Sequence, residues 1–203
     1  MKEIIEEIVK TEWNQFQKVQ NQGGRAGCQD DWQQFYIMRC SQFLTWPEEL
    51  LESYLGDLKE ADASGRNLIF NKYAYMMEIT DSKGYSEICH VLPQITLLQR
   101  NEMEKTVQIQ VEWAEKFAEE YPDFAGKGRP IHQYEECAGW TSIETYQRGE
   151  LYSYGPETRK LYCKFIELCE QENRNLTYEV RKNMARMYGY VSLEDAERSQ
   201  HVR

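Results

Sequence analysis

"NLIFNKYAYMMEIT", Asn67 to Thr80, decides how the chain folds. Placed around a helix at about 100° per residue, Leu68, Tyr75, Met76 and Ile79 form one apolar stripe. Phe70, Tyr73 and Met77 form a second stripe on the opposite side. A helix that is apolar on two sides has to be covered on two sides, so this one belongs at the centre of a bundle. Lys72 falls within the first stripe, and a cation is therefore expected inside.

The same period runs through most of the chain. It predicts helices over about 2–20, 31–44, 47–63, 67–80, 84–91, 97–120, 142–152, 156–171, 177–188 and 193–199. Pro47 and Pro156 sit where first-turn prolines belong, and Gly65 and Gly189 sit where helices stop. Asp30 with Gln33, and Thr141 with Glu144, have the spacing of N-terminal capping boxes. No segment alternates convincingly with period two, and there is no internal repeat. The expected fold is all-α, a single-domain multi-helix bundle over 1–200 with a central fourth helix and a flexible tail at 201–203.

Composition narrows the class. At 203 residues and 41% hydrophobic content the chain is long enough for one sizeable core and short for two. Its 24 basic and 34 acidic side chains give a net charge of −10, which opposes general affinity for nucleic acid or an anionic membrane. Cys28, Cys40, Cys89, Cys137, Cys163 and Cys169 form no C-x-x-C pair, and only 3 histidines accompany them. That spacing argues against a metal site and for reduced thiols in a cytosol. The start "MKEIIEEIVKTEW" is acidic and amphipathic, unlike a signal peptide, and no run reaches membrane-spanning length. A cytoplasmic protein without a cofactor is expected.

Charges fall on the wrong faces of several helices. In the first, Ile5, Ile8, Val9, Trp13, Phe16 and Val19 form the stripe, and Glu12 lies near its centre. In the second, Trp32, Phe35, Tyr36, Cys40 and Phe43 form it, and Arg39 lies near the centre. The two are almost equidistant from the midpoint of the glycine loop, so an antiparallel hairpin sets them level and a buried Glu12–Arg39 pair is expected. Asp57 lies at the edge of the Leu50, Tyr54, Leu58 and Ala61 face. An unpaired buried ion costs several kcal/mol, so each must pair or hold a ligand. Because apolar replacements often stabilise as well or better, both a functional site and a structural polar network fit.

Arginine beside glycine recurs at Gly24-Arg25, Gly65-Arg66, Gly128-Arg129 and Arg148-Gly149. Glycine permits close approach to a ligand and arginine grips carboxylate or phosphate in a fork, so these stations suit an anion pocket. They equally suit glycines that end helices beside arginines on exposed carbonyls. In "NQGGRAGCQDD", Asn21 to Asp31, the phosphate-loop spacing is missing, and paired aspartates oppose an anion at the helix start. This turn is expected to cap the second helix through Asp30 and to direct Arg25 and Asp31 inward toward Lys72 and Tyr146.

"TSIETYQRGELYSYGPET", Thr141 to Thr158, is a second polar and aromatic cluster. Glu144 and Arg148 have the spacing of a surface ion pair, and Tyr146 and Glu150 are also four apart. Tyr146, Tyr152 and Tyr154 offer flat walls that suit a ligand or a core edge. Ser41, Ser142, His90 and His132 form no hydrolase constellation, and Cys28 is read as a small apolar residue rather than a nucleophile.

The blocks "EWNQFQKVQNQGGRAGCQDD", "MRCSQFLTW", "LLESYLGDL", "GRNLIFNKYAYMME", "GRP", "TSIETYQRGELYSY" and "YGYVSLEDAE" together resemble the bacterial domain-of-unknown-function family DUF4125 over essentially the whole chain. The resemblance implies a protein that stands alone or is joined to a nucleotidyltransferase-like domain. It places the family's polar pattern on Glu12, Asn21, Arg25, Gln29, Asp30, Asp31, Arg39, Gln42, Arg66, Asn67, Lys72, Tyr73, Arg129, Glu144, Tyr146, Arg148 and Glu150. The pattern carries an acidic residue before the lysine where this chain has Asn71; were a carboxylate there catalytic, that departure would put this member in doubt as an enzyme.

Two functions fit these observations. One is a small-molecule-binding protein or enzyme that holds an anionic ligand through Glu12, Arg25, Asp31, Arg39, Arg66, Lys72, Tyr146, Arg148 and Glu150. The other is a noncatalytic helical interaction module whose buried charges only fix packing. A pocket with convergent Arg25, Arg39, Lys72 and Glu12 favours the first, and a filled core with each ion paired favours the second.

Overall fold

The computed structural model describes residues 1–20, 24–137 and 139–201. Asn21, Gln22 and Gly23 of the glycine loop, Ala138, and Val202 and Arg203 of the expected tail lie outside the described residues. The protein is all-α: 77% of the described residues are helical and none forms a strand.

The expected central helix is α4 (Leu68–Thr80), whose start is capped by Asn67, with Oδ1 accepting from the Phe70 N–H at 2.8 Å. It lies against α1 (Lys2–Gln17) and α5 (Ser82–Ile88), and most extensively against α8 (Ile143–Ser153). Gly149 of α8 permits that approach. A Cβ there would stand 2.5 Å from Met76 Cγ and 2.8 Å from the Lys72 carbonyl oxygen, so any side chain would force the helices apart. This glycine therefore serves helix packing, not a ligand.

A buried amide ties three helices together. Gln15 of α1 donates to Asp62 of α3 (Glu48–Ala63) at 3.0 Å and accepts from the Leu68 N–H at 2.8 Å, satisfying an otherwise orphaned donor in the first turn of α4. The main apolar core collects Ile8, Phe43, Leu51, Tyr54, Leu58 and Ile166. These come from α1, α2 (Trp32–Phe43), α3 and α9 (Pro156–Gln171). A satellite cluster of Phe117, Tyr121, Phe124 and Ala185 joins α6 (Leu97–Glu120), α7 (Pro122–Gly126) and α10 (Leu176–Met187), with Leu193 and Ala196 of α11 (Leu193–His201).

All ten expected helices are present, and α7 is an addition; its five residues are too few to show a period. Gly65 and Gly189 follow α3 and α10 with φ of 71° and 89°, the left-handed geometry that ends a helix. Two caps move by one residue. Asp31, not Asp30, caps α2, its Oδ1 accepting from the Gln34 N–H at 2.9 Å, because Asp30 is taken up in a 3-10 turn over Gly27–Asp30. Ser142, not Thr141, caps α8, its Oγ accepting from the Thr145 N–H at 3.0 Å. The first helix stops at Gln17 rather than near 20. The buried Gln29 amide draws off two carbonyls at its end, donating to Phe16 O at 2.8 Å and Val19 O at 3.0 Å.

Candidate functional site

The predicted Glu12–Arg39 pair is at the heart of the molecule. Arg39 grips Glu12 in a fork, Nε to Oε2 at 2.7 Å and Nη2 to Oε1 at 2.6 Å. The same Nη2 lies 2.8 Å from Oε1 of Glu150, and Nη1 donates to Gln42 at 2.7 Å. Tyr54 donates to Glu12 at 2.7 Å and Tyr154 donates to Glu150 at 3.1 Å. Lys72 Nζ stands 3.8 Å from Glu150 Oε2 and donates to the Tyr146 hydroxyl at 2.6 Å. Glu12, Arg39, Lys72 and Glu150 are all buried, and their formal charges cancel.

Burial by itself pushes the Glu150 carboxyl toward protonation, but the Arg39 and Lys72 charges outweigh it and hold the group down at about 2. Burial likewise disfavours the Arg39 cation, and Glu12 and Glu150 reverse that and raise its pKa. An ammonium can only donate, so the Tyr146 oxygen is the acceptor toward Lys72 and its own proton is left for another partner. Arg129 stacks over the same tyrosine ring, 4.6 Å from its centroid.

The other nominated residues lie elsewhere. Arg25 is half exposed and faces its own turn, donating to Asp30 at 2.9 Å, to the Gln29 carbonyl at 2.8 Å and to Gln17. Asp31 is exposed and used as the α2 cap. The expected inward direction of Arg25 and Asp31 is therefore corrected: the turn satisfies both locally. Arg66 pairs with Glu60 at 2.7 Å on the surface, after the end of α3. Arg148 is engaged by Glu104 at 2.7 Å and Glu144 at 2.9 Å, the second of these being the pair the spacing suggested. Asp57 accepts from the Gly155 N–H at 2.8 Å and so fixes the start of α9.

A cavity of about 700 Å³ opens beside the ion network, between α2, α6, the end of α7, the start of α8 and α10. Arg39, Gln42 and Tyr146 of the network reach its wall. Its other cations are Lys127, Arg129 and Arg181, and no Asp or Glu lines it among the described residues. Trp113, Trp140, Tyr162, Tyr188 and Tyr190 supply aromatic surface, with Trp140 54% and Tyr188 39% exposed. A second hollow of about 690 Å³ between α6 and α9 carries Glu104, Glu167 and Glu170, a lining that repels anions.

Arg181 differs from every arginine in the network. Its guanidinium lies 5.8 Å from the Phe117 ring centroid and 5.7 Å from that of Phe124, and burial pushes its pKa down. It has no carboxylate partner among the described residues. Gly128 makes room for it, since a Cβ there would stand 3.2 Å from a guanidinium nitrogen. Of the four glycine–arginine stations, Gly128-Arg129 alone lines this cavity among the described residues. Lys127, Arg181, Trp113, Trp140 and Tyr188 were not singled out from the sequence. The only signal near them was that station, and Arg181 lies on a helix whose "YEVRKNMAR" run reads as an ordinary solvated face.

No curated protein and no solved structure matches the chain. A family model matches residues 2–198, nearly its full length. By that match the chain belongs to the family described as Protein of unknown function (DUF4125).

Proposed function

We propose that the protein binds an anionic small molecule in the cavity between α2, α6, α8 and α10. The observation that carries this reading is Arg181, which has no carboxylate partner among the described residues, in a hollow that Lys127 and Arg129 also line and whose described lining holds no carboxylate, in a chain whose net charge is −10. Arg181 is half-buried, and partly withdrawing a guanidinium from water without a carboxylate beside it disfavours the free protein, a cost that an anion in the cavity offsets. The buried network sits behind the wall as a scaffold, holding Arg39 and Tyr146 in place. Tyr146, whose proton is not used by Lys72, is the group that would donate to a bound ligand. The six unpaired thiols support a reducing, cytoplasmic location.

Thermal shift against nucleotides, sugar phosphates and amino acids, with wild-type protein and Arg181→Met, tests the proposal. The variant is expected to melt no lower than wild type when free and to lose the ligand-induced rise, which reports binding to the folded state only. A variant that melts markedly lower, with no compound shifting either form, removes the anion site.

A second reading, a noncatalytic interaction module, is favoured by the completeness of the Glu12–Arg39–Glu150–Lys72 network, in which every ion has a partner. Val91, Leu97 and Leu98, exposed at 60%, 74% and 69%, would be its contact surface.

A further inference from the structure

Resting on the anion-site reading, we infer that the ligand is a nucleoside monophosphate, its phosphate against Lys127, Arg129 and Arg181 and its base against the aromatic wall. Three cations from two separate segments line the cavity: Lys127 and Arg129 flank Gly128, Arg129 donating to the Thr141 carbonyl at 3.1 Å, and Arg181 of α10 packs on that glycine. A monocarboxylate would balance one of them, whereas a phosphate monoester carries close to two negative charges and several acceptor oxygens for guanidinium forks. Arg39 adds nothing to this count, because Glu12 and Glu150 already neutralise it.

The remainder of the cavity suits a flat, uncharged, hydrogen-bonding group. Trp140 and Tyr188 are large aromatics left exposed at the lining, and rings of this kind stack on any base. Gln147 brings an amide that both donates and accepts, which matches sugar hydroxyls and base edges, while the Gln42 amide is held by Arg39 and Glu150. The absence of carboxylates among the described lining residues argues for a monophosphate over a triphosphate, whose magnesium is commonly held by protein carboxylates. The volume of about 700 Å³ falls within the range of roughly 300–1,000 Å³ of small-molecule sites.

Calorimetric titration and tryptophan fluorescence test this with adenosine, guanosine and cytidine monophosphates, the matching nucleosides, ribose phosphate, inorganic phosphate and benzoate. At least one monophosphate should bind and change the fluorescence, with its nucleoside and inorganic phosphate far weaker. Arg181→Met should weaken it by about tenfold or more, and Trp140→Ala by about tenfold, with both variants verified as folded by circular dichroism. Ribose phosphate or benzoate binding as tightly as any mononucleotide, with Trp140→Ala without effect, overturns the nucleoside assignment and leaves the anion site standing. Binding of none of these anions, or binding that survives Arg181→Met unchanged, overturns both.

Discussion

The ion network and the cavity share a wall at Arg39 and Tyr146, yet they treat charge in opposite ways. In the network two carboxylates face two cations, two tyrosine hydroxyls and a glutamine amide take up further oxygens and nitrogens, and the sum of charge is zero. In the cavity Lys127, Arg129 and Arg181 stand without a carboxylate among the described residues. Closed neutrality of the first kind fixes packing, because removal of any member strands another. Open positive charge of the second kind disfavours the empty protein and favours whatever anion enters. Buried charge alone therefore does not mark a binding site.

The largest effect that tests this contrast is on Arg39. Arg39→Met should destabilise the fold by about 3–5 kcal/mol in urea unfolding, because Glu12 is left buried without a cation and Glu150 keeps only Lys72. The double change Arg39→Met, Glu12→Met, which leaves Glu150 with Lys72, should recover much of that loss. Full additivity of the single changes would mean that the network is not a unit.

Acid titration of stability comes next. Glu150 is held at about 2 in the folded protein against 4.5 for an unperturbed carboxyl. With a depressed folded value, its contribution is fully present above about pH 4.5 and is lost as pH falls through about 2, amounting to roughly 3 kcal/mol. Glu150→Gln should flatten that acid limb of the unfolding curve; an unchanged limb would assign acid sensitivity to other groups.

On the cavity side the sign reverses. Arg181→Met should leave the free protein within about 1 kcal/mol of wild type or more stable, since no partner is stranded. A loss comparable to that of Arg39→Met would erase the distinction between the two regions. The smallest effect is expected at Arg66, whose pair with Glu60 is open to solvent: Arg66→Ala should change stability by no more than about 0.5 kcal/mol.

The sequence by itself determined the helices and the Glu12–Arg39 pair. Helical period is a local property, and a charge at the centre of an apolar stripe is compelled to find a partner, which the symmetry of the hairpin located. It reached Lys72 for the same reason, and Tyr146 and Glu150 through the polar and aromatic run and their four-residue spacing, but not their grouping with Tyr54 and Tyr154, which depends on how α3 and α8 are laid across α1 and α2. Arg25 misled because glycines and an inward stripe nearby suggested burial, whereas Asp30 and the Gln29 carbonyl satisfy it within five residues. Only the tertiary structure decided the cavity. Arg181 lies on a polar helix face that looks solvated in isolation, and it becomes a half-buried cation with no carboxylate partner among the described residues because Phe117, Phe124 and Gly128 from distant segments pack against it. Periodicity records which face a helix turns inward; it carries no record of which neighbours leave a gap.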